Sequence, residues 1–187
     1  QPPWTSQLAH LTTKMRDVHA GEVDDRYVAH TLEQACKYFK ERAIKSHGVD
    51  PSERIEACLL RANWSGNGRD FFERERQTHT DKNEFGFKLS SHNNTAARTV
   101  IDALLRDGYF YAGSDTTRAQ FHAAIGATGT PPAFVEYLVV TVFSDRKSEA
   151  TSRVFGALVL MSTHPSMLWE SDYHLLHTYG WWGLLHE

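Results

Sequence analysis

The residue types best able to do chemistry in this chain crowd toward its end. His174, His177 and His186 fall in "SDYHLLHTYGWWGLLHE", a stretch whose apolar spacing reads as a helix. Residues three apart share a helix face, so His174 and His177 have the geometry of a metal pair. No third ligand is placed to complete such a site, so packing on a partly buried face is the preferred reading and no metal is assigned. Cys36 and Cys58 are the two thiols. Redox chemistry needs an activated thiolate and a resolving partner within reach. Cys36 instead lies on an apolar helical stripe and Cys58 in an apolar strand run, where cysteine acts as a small hydrophobe. "SGNG" at Ser65 to Gly68 lacks the Lys and the helix of a phosphate loop, and there is no Gly-x-Ser-x-Gly elbow. Ser, His and Asp are plentiful, but residue types alone do not specify a triad. No catalytic residue is assigned, and an enzyme is not expected.

The whole chain narrows the classes further. Its 187 residues suffice for one sizeable core, with 41% hydrophobic and 12% aromatic content. The net charge of -3 comes from acidic and basic residues mixed along the sequence, so no basic field exists for a nucleic-acid backbone. No apolar run approaches the roughly 18 residues that cross a bilayer, so this segment is not expected to insert in a membrane. Two cysteines without a disulfide framework suit a reducing, cytoplasmic setting. The chain opens at "QPPWTSQ" without Met and ends inside an apolar helical pattern. A piece of a longer protein is therefore expected, the cytosolic part of a chain that can be membrane-attached, with an output domain outside this piece.

The elements that must position these residues follow from periodicity. Leu8, Leu11, Met15 and Val18 have helical spacing up to Gly21, so residues 1–22 read as a helical extension and residues 23–187 as the main domain. Tyr27, Val28, Leu32, Ala35, Cys36, Phe39 and Ala43 form one stripe of a long second helix that stops at Gly48. Arg54 to Trp64 suits a half-buried strand. The charge-dense "SGNGRDFFERERQTHTDKNEFG" reads as a long loop or hairpin connection rather than a regular element. "FGFKLSS" is a short strand. A helix follows over "NNTAARTVIDALLRDG", then the strand "YFYAGSD" and a short helical piece before a Gly/Pro turn. "FVEYLVVTVFSD" and "VFGALVLMS" are the strongest strands and pair as a hairpin. The last helix begins near Trp169. The expected architecture is α+β: a central antiparallel sheet of about five or six strands, terminal helices on one face and crossing helices and loops on the other.

This order, with Gly156, Leu158, Leu160, Leu168, Asp172, Leu176 and Gly180 in "VFGALVLMSTHPSMLWESDYHLLHTYG", resembles the GAF domain, a small-molecule sensor module related to PAS domains. "TAARTVIDALLRDGYFYAGSDTTRAQF" is similar to the GAF segment in which a helix ends at Gly, a short strand follows and an Asp closes it. The resemblance spans roughly Tyr27 to Glu187. It implies a non-catalytic sensory or regulatory module in which a small molecule sits between the sheet and the crossing segments, here Asn93 to Thr130. Arg98, Tyr109, Tyr111, Asp115, Arg118, Phe121 and His122 would then supply aromatic walls and polar anchors, a mix that suits a small-molecule site. The identity of that ligand, and any cofactor, stays open. The resemblance also implies that terminal helices pair with those of a second copy to make a homodimer. Trp181, Trp182 and Leu185 could face that partner, aromatics being favoured at interfaces, or pack within one subunit.

Some GAF proteins resemble cysteine-dependent free methionine sulfoxide reductases, and burial of Cys36 and Cys58 argues against that role. Bilin attachment is disfavoured because neither cysteine falls in the pocket-side segments. The Asn-Lys-Phe-Asp-Glu pattern of cyclic-nucleotide-binding members is missing. A structural dimerisation module without ligand is the alternative.

Overall fold

The structure, a computed structural model, describes residues 25–65, 68–77, 88–126, 133–143 and 154–178. The proposed extension over residues 1–22, and Trp181, Trp182, Leu185 and His186, lie outside the described residues. Helix α1 (Asp25–His47) turns Leu32, Ala35, Phe39 and Ala43 inward at spacings of three and four, the stripe expected of an amphipathic helix. It ends at Gly48, whose φ of 61° is left-handed and suits glycine, with the Gly48 N–H donating to the Ile44 carbonyl.

Strand β1 (Ile55–Ser65) then pairs antiparallel with β2 (Gly68–Gln77), and β3 (Lys88–Ser90) pairs with β2. Here the sequence reading needs correction, because "GRDFFERERQ" is a strand and not part of a loop. Its charges carry no period-two apolar signal. Main-chain pairing along β1 supplies what the side chains do not announce, with Leu60 opposite Glu73 and Asn63 opposite Asp70.

Helix α2 (Thr95–Asp107) starts at Asn94, whose side chain accepts from the Ala97 N–H at 3.0 Å, and ends at Gly108 with φ 83°. Both signals are readable in the sequence. Strand β4 (Tyr109–Ala112) follows at once, then helix α3 (Asp115–Ala124), capped by Ser114 and Thr117 in reciprocal hydrogen bonds. Strands β5 (Glu136–Phe143) and β6 (Val154–Ser162) pair antiparallel, and the short helix α4 (Asp172–Thr178) closes the described chain.

The strands form one antiparallel sheet in the order β3-β2-β1-β6-β5-β4, and with the helices make an α+β fold. Alternation along each strand sends neighbouring residues to opposite faces. Ala57, Leu59, Leu138, Val140, Leu158 and Leu160 meet α1 and α4 on one face. Cys58, Leu60, Tyr137, Val139, Ala157 and Val159 meet α2 and α3 on the other. The close approach expected at Gly156 is present: a Cβ there would lie 1.9 Å from the Leu60 carbonyl oxygen, so no larger residue fits without moving β1. Among the described residues, no helix is long and apolar enough to cross a membrane.

Candidate functional site

Strand β4 closes the sheet at one edge, and its alternation decides where the aromatic residues of this region go. Phe110 turns toward α3 and stacks near Phe121, with centroids 6.1 Å apart. Tyr109 and Tyr111 turn the other way and pack against the core beneath α1 and α4. The seven residues expected to gather on the outer face are therefore split by the sheet. Phe121 is fully buried against Tyr137, with centroids 4.6 Å apart, and forms core. His122 is half-buried, its Nε2 2.9 Å from the Tyr137 hydroxyl, and burial together with the Arg118 charge lowers its pKa. Arg118 donates to the Val135 carbonyl at 3.0 Å and pairs with the exposed Asp115. Arg98 is exposed on α2 and donates to the Ser91 carbonyl. Packing and pairing thus occupy the outer face at these positions.

Among the described residues, a groove of about 410 Å³ lies along β4 itself, within the range of small-ligand sites. Its floor is Tyr109, Phe110 and Tyr111. One wall is the solvent side of α2 with Asp102 and Arg106, and Glu170 stands on the opposite side. Arg106 is held by its neighbour Asp107 through bonds of 3.0 and 2.8 Å. The Tyr109 hydroxyl donates to Glu170 Oε1 at 2.8 Å, and this bond to a carboxylate, aided by burial, pushes the phenol pKa up to about 12. Its ring stacks flat on Tyr173, with centroids 3.9 Å apart. Of the sequence-derived site residues, only Tyr109 and Tyr111 line this groove. Asp102, Arg106, Gln120 and Glu170 escape a sequence reading because they come from three elements and share no motif.

The groove adjoins a buried polar clasp. Glu136, 1% exposed, opens β5 directly opposite Ser162 of β6. Its Oε1 accepts from Ser162 Oγ at 2.5 Å and from the Met167 and Leu168 N–H groups at 2.9 and 2.7 Å. The Tyr111 hydroxyl lies 3.2 Å from Oε2 and 3.3 Å from the Leu168 carbonyl. Burial raises the Glu136 pKa against the opposing pull of these donors, and the same burial beside Glu136 raises that of Tyr111. Gly113 makes room for the tyrosine, since a Cβ there would sit 2.4 Å from its ring.

The segment that Glu136 grips runs on into α4. There Asp172, 1% exposed, takes a bidentate pair from Arg42 of α1 at 2.6 and 2.7 Å. Arg42 also donates to the Met167 carbonyl at 3.2 Å, and its guanidinium lies 3.8 Å over the Trp169 ring. Asp172 accepts from the Trp169 N–H at 2.7 Å.

Cys36 and Cys58 are both buried, Cys36 in the core beneath α1 and Cys58 in the core beneath α2 and α3. His174 is exposed on α4. Among the described residues, no three His, Cys, Asp or Glu side chains form a metal-binding group. No protein-family model, no curated protein and no solved structure matches this chain.

Proposed function

We propose that this chain is a non-catalytic regulatory module of GAF type that receives a small ligand in the β4 groove and passes the signal through its terminal helices, by homodimerisation and to an attached output domain. The observation that carries this reading is the connection of groove to helices. Tyr109 and Tyr111 line the groove and hydrogen-bond to Glu170 and to the Glu136 clasp, and the same segment holds Asp172 for Arg42 of α1. A ligand that takes Glu170 from Tyr109 would therefore act on the segment that ties α1 to α4. Signalling of this kind requires that the ligand prefer one arrangement of that segment over the other.

The GAF resemblance supports the reading through the order of elements and the "GALVLMS" and Asp172 patterns. The burial of Phe121, Phe134 and Tyr137 as core against the outer face favours the alternative of a structural dimerisation module. Placement of the two thiols on opposite sheet faces speaks against the redox alternative.

Native mass spectrometry of the gently purified protein, followed by thermal shift and hydrogen exchange with any copurifying compound, separates these readings. A regulatory module should carry or bind a compound that changes exchange in residues 167–178. Tyr109→Phe, which removes the bond to Glu170, should keep binding and weaken that change. A chain that dimerises, carries no compound and shows no ligand-dependent exchange would sink the proposal.

A further inference from the structure

Among the described residues, no strand lies beside the outer edge of β4. Thr141 donates to the Gly108 carbonyl at 2.9 Å and faces Gly108 directly, because Tyr109 faces Val140. Gly108, Phe110 and Ala112 therefore direct their main-chain groups at β5. Tyr109 and Tyr111, between them, direct theirs outward into the groove. Among the described residues, nothing bonds those outward N–H and C=O groups. Edge strands of this kind are templates for a further strand.

Charge selects what that strand carries. With Arg106 engaged by Asp107, Asp102 on one side of β4 and Glu170 on the other enter no ion pair among the described residues. Side chains of an added strand alternate between the two sides, so cationic ones would meet a carboxylate on either. A second copy pairing β4 to β4 would instead bring the same carboxylates together, which disfavours it. β4 is four residues long, about 13 Å at the usual rise, so it matches a segment of about four residues.

From this we infer that the ligand of the groove is a short extended peptide bearing Lys or Arg, which adds a strand to β4 by bonding the outward main-chain groups of Tyr109 and Tyr111. The inference rests on the groove being the ligand site of the regulatory module and names the class of that ligand.

The test is a titration of the ¹⁵N-labelled full chain with acetyl-Val-Lys-Thr-Lys-Val-amide, followed at the Tyr109 and Tyr111 amide resonances. Both should shift and saturate. N-methylation of alternate residues should weaken binding about 5–10-fold in one of the two registers, the effect of losing a main-chain hydrogen bond. Replacing both lysines by Glu should abolish it, and the D102N/E170Q variant should bind the lysine peptide several-fold more weakly. Equal binding of both N-methylated registers overturns strand addition, and equal binding of the Glu peptide overturns the charge selection. Shifts at Tyr109 and Tyr111 that grow with protein concentration alone would assign the edge to a second copy and overturn the inference. A compound that copurifies in the groove while the lysine peptide moves neither amide keeps the ligand site and removes the peptide.

Discussion

Glu136 is a carboxylate that water cannot reach, held by a hydroxyl and two backbone N–H groups on one oxygen and a phenol near the other. Such a group is costly to bury and costly to remove, because its donors have turned away from every other acceptor. Glu136→Ala should destabilise the fold by about 2–4 kcal/mol in urea unfolding. Glu136→Gln keeps an acceptor for Met167 and Leu168 and should cost less than about 1.5 kcal/mol. Since burial raises the native pKa above the ordinary 4.5, between 4.5 and that raised value the folded state holds a proton that the unfolded chain has released. Stability from this group is therefore fully present below 4.5 and is lost as pH rises through the raised native value. The wild-type protein should lose stability relative to Glu136→Gln across that window, and parallel pH profiles of the two would refute the assignment.

At the scale of elements, α4 is a short helix that an isolated peptide would not hold, so its position is decided by what grips its start. Arg42 and Asp172 do this across the gap between the first and last described helices, with side chains 11% and 1% exposed. Breaking a buried pair from one side leaves a charge without a partner. Arg42→Met should therefore cost about 3–5 kcal/mol and raise hydrogen exchange in residues 167–178. The double variant R42M/D172L removes both charges and should recover most of that loss. Equal stability of the single and double variants would mean that the pair does not bind the helices together.

For the whole molecule, the sheet is the divider, and the described core residues packed on it belong to one cluster or the other. Cys36 and Cys58 illustrate the consequence, being separated by the thickness of the sheet and sealed from solvent at 8% and 0% exposure. In the native protein no oxidant should join them. Reaction of Cys58 with a disulfide reagent such as DTNB should be slower than in the unfolded chain by the equilibrium constant for global opening. Rapid modification of Cys58 under native conditions would contradict this partition.

The sequence alone determined what local chemistry can announce. Asn94 and Gly108 mark the ends of α2 because a cap and a left-handed residue act within a few positions of the chain. The β5–β6 hairpin follows from runs of β-branched and aromatic residues, and the α1 stripe from spacing. Only the tertiary structure decided that "GRDFFERERQ" is a strand, since its support is the main chain of β1 and not its own pattern. It alone separated Tyr109 and Tyr111 from Phe121 and His122, because a strand's alternation is known only once its partner and faces are known. The clasp of Glu136 and the pair of Arg42 with Asp172 join residues that are 25 to 130 positions apart, a distance over which sequence periodicity carries no information.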